Sequence, residues 1–162
     1  MTPNAITDME TSVLENEESE KSAIRVCLDQ FYAAYSRGDA RSVASLYHPN
    51  ANLVIQGREV AVGHAAIERE YVRLIALDPV RSDTKVTQAL RIHLVNADLA
   101  VVDAAALLTK LGDGGKEEKL GDAFFTIVVV KDGGRWLLAA LRGASDANIA
   151  PPDARQLDEG GS

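Results

Sequence analysis

Two side chains that could transfer protons, His93 and Asp122, lie in strand-like runs of otherwise apolar sequence. An imidazole titrates near neutral pH, and apolar neighbours raise the pKa of a carboxyl, so both groups suit general acid or base catalysis. Direct pairing across the NAD turn at 96–98 would place His93 opposite Val102, on an inner face. A one-residue bulge at that turn would direct His93 outward. Asp122 has a second interpretation as a solvated residue at the end of a hairpin arm.

The sequence offers no recognisable site for a metal or an organic cofactor. The three histidines, His48, His64 and His93, lack the spacing of a metal-binding pair and have no carboxylate partner nearby in sequence. The GDGGK segment at 112–116 lacks the GxxxxGK[ST] spacing of a phosphate-binding loop, and no GxGxxG turn follows a strand. We therefore expect no metal, flavin or nicotinamide.

The composition predicts one acidic domain without an affinity for polyanions. The chain has 162 residues and a formal net charge of −7, so it has no basic field for nucleic acid or an anionic membrane surface. No apolar run approaches the length of a membrane span, and no secretion signal is recognisable. We expect a cytoplasmic protein whose partner is an apolar small molecule or another protein.

The periodicity of apolar residues predicts three helices followed by a sheet. A first helix beginning near Glu20 would bury Ile24, Leu28, Phe31 and Tyr35 along one face. Asp39 caps a short second helix, and a third helix follows Gly63. Two short strands, NLVI at 52–55 and EVAV at 59–62, lie between the second and third helices, and four strand-like runs form a meander from residue 84. The pattern is α+β, with acidic and Pro/Gly-containing flexible tails at 1–18 and 146–162 around a domain at 19–145.

Three segments resemble the nuclear transport factor 2-like superfamily, which includes SnoaL-like polyketide cyclases and ketosteroid isomerases. They are YSRGDARSVASLYHPNANL, VGHAAIEREYVRLI and KDGGRWLLAALRGA, and the resemblance covers about residues 20–145. It is closest to SnoaL-like proteins encoded beside enediyne biosynthesis genes. The resemblance implies a cone-shaped fold, in which a curved antiparallel sheet wraps around the helices and leaves one deep apolar pocket. It also implies a homodimer formed through the outer sheet face.

The resemblance argues against steroid isomerisation. At the isomerase's catalytic positions this chain has Ile55 for the base, Phe31 for the phenol and, near the acid position, Thr126. None of these side chains can perform that role. Two supporting phenols of the isomerase network correspond to Tyr47 and Tyr71, so the resemblance implies a pocket with hydroxyls at its base.

A predicted ligand-binding set follows if Thr126 faces inward. Strand alternation then places Asp122, Phe124 and Val128 on the same side as Thr126. The neighbouring strand would contribute Val102 and Ala104, and Tyr35 of the first helix would line the mouth. In this interpretation Asp122 and His93 are the catalytic residues, and the substrate-binding residues are Phe31, Tyr35, Tyr47, Ile55, Tyr71, Val102, Ala104, Phe124, Thr126 and Val128.

Two classes of function remain open from the sequence. The first is a cofactor-independent enzyme that isomerises, cyclises or dehydrates a polyketide-like or other apolar molecule. The second is a non-catalytic binder or carrier of such a molecule, or a dimeric association module. An enzyme requires a titratable group beside a cavity, a binder requires an apolar cavity, and an association module would have its interior filled by side chains.

Overall fold

The structure is a computed structural model that describes residues 4–145, and it has three α-helices and six β-strands within that range. The helices are α1 (Asn4–Ser36), α2 (Ala40–Ser45) and α3 (His64–Ala76). The strands are β1 (Tyr47–Ile55), β2 (Arg58–Val62), β3 (Thr84–Asn96), β4 (Leu99–Leu111), β5 (Glu117–Asp132) and β6 (Arg135–Ser145).

The six strands form one curved, open sheet in the order β2-β1-β6-β5-β4-β3. Neighbouring strands are antiparallel except β1 and β6, which run parallel. Each of the five strand pairs contains a register shift, and bulges of this kind bend a sheet. The helices lie against the inner face, so the predicted α+β cone-shaped architecture of helices on a curved sheet is confirmed.

The second half of α1 is the helix that the sheet encloses. Ile24, Leu28 and Phe31 are spaced by four and three residues, so they lie on one helical face, and all three are buried. Burial of each such side chain contributes about 1.5–3 kcal/mol. The helix ends at Ser36, and Gly38, two residues later, has a φ of +80° that favours glycine.

A charged anchor holds α1 against the hairpin between β5 and β6. One carboxylate oxygen of Glu20 accepts a hydrogen bond from Lys131 Nζ at 2.7 Å, and the other accepts one from Trp136 Nε1 at 2.7 Å. These bonds hold the pKa of Glu20 below its usual range, although partial burial opposes the shift. The anchor therefore fixes α1 at the point where its buried half begins.

The first helix begins at Asn4, far before the predicted start near Glu20. Residues 5–19 are all exposed, which explains why their polar composition resembled a tail. Residues 1–3 and the predicted C-terminal tail at 146–162 lie outside the described residues. Within residues 4–145 no helix is long and apolar enough to span a membrane.

The connection between α2 and β1 also differs from the prediction. Asp39 caps α2 as expected, because its Oδ1 accepts a hydrogen bond from the Ser42 N–H at 3.0 Å. The helix ends at Ser45, however, and β1 begins at Tyr47 rather than near Asn52. Tyr47 therefore projects from a strand. The carbonyl oxygen of the residue before it, Leu46, accepts a hydrogen bond from the Leu138 N–H of β6.

Candidate functional site

Four aromatic rings from three elements meet between the helices and the sheet. Phe31 lies 5.7 Å from Tyr71 and 6.3 Å from Tyr47, measured between ring centroids. Tyr35 lies 6.3 Å from Tyr71, and Tyr47 lies 6.0 Å from Tyr71. These separations fall in the range in which aromatic rings attract each other. Four of the residues predicted to bind a ligand are thus brought together, and we call them the ring cluster.

The ring cluster contains a buried pair of phenols. The Oη atoms of Tyr47 and Tyr71 are 2.6 Å apart, and either hydroxyl can be the donor. Burial raises the pKa of both phenols well above the usual value. Both therefore stay protonated at neutral pH. One proton lies between the two oxygens, and in residues 4–145 no further acceptor takes the second one, so the pair can donate a hydrogen bond to a ligand oxygen.

A buried carboxylate adjoins the ring cluster at Tyr35. The Tyr35 hydroxyl donates a hydrogen bond of 2.9 Å to Asp78 Oδ2. Asp78 is 7 % exposed, and its Oδ1 atom has no partner in the described part of the chain. Burial, followed by the charge of Asp78, raises the pKa of Tyr35. An unpaired carboxylate oxygen in an apolar setting is an unusual feature, because such groups are costly to bury.

The sequence analysis did not identify Asp78. It follows α3 in the segment LDPV at 77–80, where Pro79 marks a helix end. Aspartate is common and solvated at helix ends, so no local signal indicated burial. Arg81 supports the turn from the other side, because its Nη1 donates to the carbonyl oxygen of Asp78 at 3.1 Å.

A row of half-buried apolar side chains lies on the inner face of the sheet, where the space between sheet and helices is most accessible. Ile55, Phe125 and Leu90 lie in one row across the inner face of β1, β5 and β3, with Gly143 and Ala104 between them. Ile55 and Ala104 thus have the predicted orientation, as does the fully buried Val102. Tyr32 packs against the same core, and burial raises the pKa of its phenol to about 12. This row is the accessible edge of the apolar interior.

The predicted inward orientation of β5 is wrong. Ala104 of β4, which faces inward, pairs with Phe125, so the inward residues of β5 are Ala123, Phe125, Ile127 and Val129. The outward residues are Asp122, Phe124, Thr126 and Val128, and Phe124 is 59 % exposed. The prediction assumed that Thr126 faces inward, and side-chain alternation along a strand does not specify which of its two sets of residues faces the core. A role for Asp122 inside the cone has no geometric support.

The predicted inward orientation of His93 is also wrong. Asn96 pairs with Leu99 at the turn, but Leu94 pairs with Ala100, so Val95 is an extra residue in β3. The bulge shifts the register by one, and His93 lies opposite Val101 on the exposed face. This is the alternative that the sequence analysis left open.

The larger pocket described for this structure lies on the outer face of the sheet. It has a volume of about 640 Å³, and two parallel rows of outward side chains line it. One row contains Arg91, Asp103, Thr126 and Arg142, and the other contains Ala89, Ala105, Phe124 and Ala144. Phe124 and Thr126 therefore line a pocket on the outer face and do not face the interior of the cone. We call this feature the outer groove.

No group of three or more His, Cys, Asp or Glu side chains able to hold a metal occurs among residues 4–145. Cys27 is buried, its Sγ donates to the Trp136 carbonyl at 3.5 Å, and burial raises the pKa of its thiol to about 11. A thiol in this state is a poor nucleophile. The polar groups near the ring cluster are therefore phenols, the Asp78 carboxylate and the Arg81 guanidinium, whose buried Nε has no partner in the described part of the chain.

Comparisons with known proteins agree with this architecture. A family model described as a SnoaL-like domain matches residues 17–142. A comparison with curated proteins gave no match.

Solved structures share the fold at low sequence identity. A Mycobacterium tuberculosis protein of unknown function has 15 % identity and a TM-score of 0.71, covering 90 % of this chain and 88 % of that one. An NTF2-like protein with a cystatin-like fold from Novosphingobium aromaticivorans has 16 % identity and a TM-score of 0.62, covering 97 % of both chains. A candidate dehydratase of the NTF2-like family from Streptomyces avermitilis has 17 % identity and a TM-score of 0.64, covering 78 % and 96 %.

Proposed function

The chain belongs to the SnoaL-like domain family, and from this membership we propose that it is a cofactor-independent acid/base enzyme acting on an apolar small molecule. The reaction class is isomerisation, cyclisation or dehydration, and the substrate class is polyketide-like or a similarly apolar ring compound of secondary metabolism. The resemblance to the subgroup encoded beside enediyne genes supports this substrate class. One structural neighbour described as a candidate dehydratase is consistent with it.

The observation that carries the proposal is the Tyr35–Asp78 pair beside the ring cluster. Asp78 has one oxygen bound by the Tyr35 hydroxyl and one oxygen unpaired, so the carboxylate is held in place and can still accept a proton. The Tyr47–Tyr71 pair retains one hydroxyl proton for a ligand oxygen. A base and a separate hydrogen-bond donor are the two groups that proton transfer beside a carbonyl requires.

The proposed reaction uses these two groups in sequence. Asp78 removes a proton from a carbon next to a carbonyl group, and the electrons of the C–H bond move into the carbonyl to form an enolate. The free phenol proton of the Tyr47–Tyr71 pair stabilises the enolate oxygen. The protonated Asp78 then returns the proton to another carbon or to a leaving hydroxyl group, so no external oxidant or cofactor enters. This proposal assigns the acid/base role to Asp78 in place of Asp122 and His93, which face outward.

Binding of an apolar probe tests the small-molecule part of the proposal. Nile red is neutral, apolar and carries a carbonyl group, and its emission shifts to the blue in an apolar site. We expect saturable binding by the full chain. Ala104→Phe should remove it, because the new ring would occupy the space between Leu90 and Phe125. Ala105→Phe, on the opposite face of the same strand, is the matched control.

Native mass spectrometry of the purified protein is the complementary measurement, because a copurifying molecule identifies the substrate class directly. The proposal fails if Nile red does not bind or binds equally well to the Ala104→Phe variant. Circular dichroism shows whether each variant is folded before its binding is compared.

The dense packing of the rings favours a second candidate function. Tyr47 and Tyr71 are 0 % and 4 % exposed and Phe31 is 9 % exposed, so much of the interior is occupied by side chains. A binder without catalysis, or an association module, would need no more than this. Probe binding without any proton-transfer activity would favour the binder, and the absence of binding together with stable self-association would favour the association module.

A further inference from the structure

The first sixteen residues of α1 that the structure describes form an exposed arm with an apolar stripe. The arm comprises residues 4–19, and Ile6, Met9 and Val13 are 60 %, 70 % and 58 % exposed. Ile6 lies eighteen residues, or five helical turns, before Ile24, so the stripe is on the same side of α1 as the buried face, although Glu17 and Glu20 interrupt it between Val13 and Ile24. A helix does not normally leave such a face in water.

The outer groove is an apolar surface bordered by positive charge. Ala89, Ala105 and Ala144 leave a shallow depression around the exposed ring of Phe124. The adjacent row carries Arg91 at one end and Arg142 at the other. Neither guanidinium forms a salt bridge within residues 4–145, although Arg142 Nη1 donates to Asn52 Oδ1 at 3.0 Å. Asp103, between them, accepts a hydrogen bond from Thr126.

We propose that the arm of one copy of this chain binds in the outer groove of a second copy, and that the exchange is reciprocal. Ile6, Met9 and Val13 would cover the row of alanines and Phe124. Glu10 and Glu17 follow Ile6 and Val13 by four residues, so they lie along one side of the stripe and would face Arg91 and Arg142. The arm has five acidic residues and no basic ones: Asp8, Glu10, Glu15, Glu17 and Glu18.

The dimensions of the two surfaces agree. The segment from Ile6 to Val13 is about 10 Å long, and the four strands β3 to β6 of the groove span about 14 Å, so this part of the arm fits across the groove. Glu10 and Glu17 are about 10 Å apart along the helix, and Arg91 and Arg142 lie on the two outer strands of the groove, about 14 Å apart. The flexible side chains of glutamate and arginine can bridge this difference.

The contact must form between two molecules. The arm and the buried half of α1 are one continuous helix, and the buried half packs on the inner face of the sheet. The outer groove lies on the opposite face, so an arm cannot reach the groove of its own chain without breaking the helix. Reciprocal exchange between identical chains produces a closed two-fold dimer. This proposal does not depend on the proposed enzymatic function.

Sedimentation equilibrium of full-length variants tests the exchange. Met9→Glu combined with Val13→Glu should weaken the wild-type dimer at least about 100-fold, since two charges would be buried against apolar side chains. Val26→Glu is the matched control, because Val26 is 55 % exposed on another face of the same helix. It should leave the dimer intact, and circular dichroism should show all variants folded.

Charge reversal tests the identity of the groove. Arg91→Glu with Arg142→Glu should give a monomer, and so should Glu10→Arg with Glu17→Arg. Mixing these two variants should restore a mixed dimer, because each arm then meets a groove of opposite charge in both contacts. The proposal is overturned if the wild-type chain is monomeric at micromolar concentration. It is equally overturned if the Met9/Val13 variant remains a dimer, as direct sheet-to-sheet contact predicts, or if mixing restores nothing.

Discussion

At the scale of single residues, the four phenols of the chain share one property that can be measured. The chain has four tyrosines, and burial raises the pKa of each of them, to about 12 for Tyr32 and higher for the other three. Because the folded pKa exceeds the unfolded value of about 10, the protonated phenols stabilise the fold fully below pH 10 and lose that contribution as the pH rises.

Alkaline titration followed at 295 nm therefore has a definite expected result. We expect almost no tyrosinate absorption below about pH 11 in the folded protein, and its appearance should coincide with loss of the circular dichroism signal. The chain unfolded in guanidinium chloride should titrate near pH 10 and serves as the reference. Ionisation of one or more tyrosines near pH 10 in the folded state would contradict the described burial.

The Tyr35–Asp78 hydrogen bond predicts unequal effects of two similar mutations. Tyr35→Phe leaves the buried Asp78 without its hydroxyl donor, and we expect a loss of about 1–3 kcal/mol in the free energy of unfolding. Tyr32→Phe removes the hydroxyl of a neighbouring half-buried tyrosine that has no hydrogen bond to a carboxylate among residues 4–145, so the loss should be about 0.5–1.5 kcal/mol. Urea unfolding of both variants measures the difference, and equal losses would argue against a special role for Asp78.

The residues of the candidate site were only partly predictable. Phe31 and Tyr35 follow from the helical spacing of α1, and Tyr47 and Tyr71 follow from the family resemblance. Asp78 was missed because its burial depends on the turn between α3 and β3 packing against α1, a tertiary contact that no local pattern indicates. Asp122 was placed inward because side-chain alternation within a strand does not say which set faces the core.

At the scale of elements, the spacing of apolar residues predicted the order of helices and strands, but it did not predict every element boundary or the register of every strand pair. The four-strand meander is present as predicted, including β4, whose alanines could equally suit a helix. The start of α1 was placed too late because residues 4–19 bury nothing within the chain and resemble a tail. The bulge at Val95 and the register of β5 depend on cross-strand packing, so they could not be read from composition.

The Glu20 anchor predicts a pH-dependent contribution of α1 to stability. The folded pKa of Glu20 is lowered, so its contribution is present above the unfolded pKa and disappears as the pH falls below about 4. Glu20→Gln should therefore destabilise the protein by about 1 kcal/mol at pH 7 and by less in acid, since ion pairs near a surface contribute little. Urea unfolding at the two pH values measures this. A stability difference between the wild type and Glu20→Gln that is larger in acid than at pH 7 would contradict the lowered pKa of Glu20.

At the scale of the whole molecule, the two faces of the sheet have separate proposed tasks. The inner face and helices hold the ring cluster with Asp78, and the outer face holds the groove proposed for the arm of a second copy. Substitutions on one face should leave the property of the other face unchanged, because the two sets of side chains alternate along the strands. Thus Arg91→Glu with Arg142→Glu should abolish the dimer while Nile red binding persists. Loss of both properties in this variant would show that the faces are coupled.

Hydrogen exchange at carbon tests the central claim, proton transfer by Asp78 inside an apolar site, most directly. The probe is 2-tetralone, an apolar bicyclic ketone with acidic protons beside its carbonyl group, and proton NMR in deuterium oxide follows their replacement. We expect the wild-type chain to accelerate exchange, Asp78→Asn to lose at least about 100-fold of that acceleration, and Tyr32→Phe to retain it. An unaccelerated wild-type reaction, or an Asp78→Asn variant as fast as the wild type, would contradict the account.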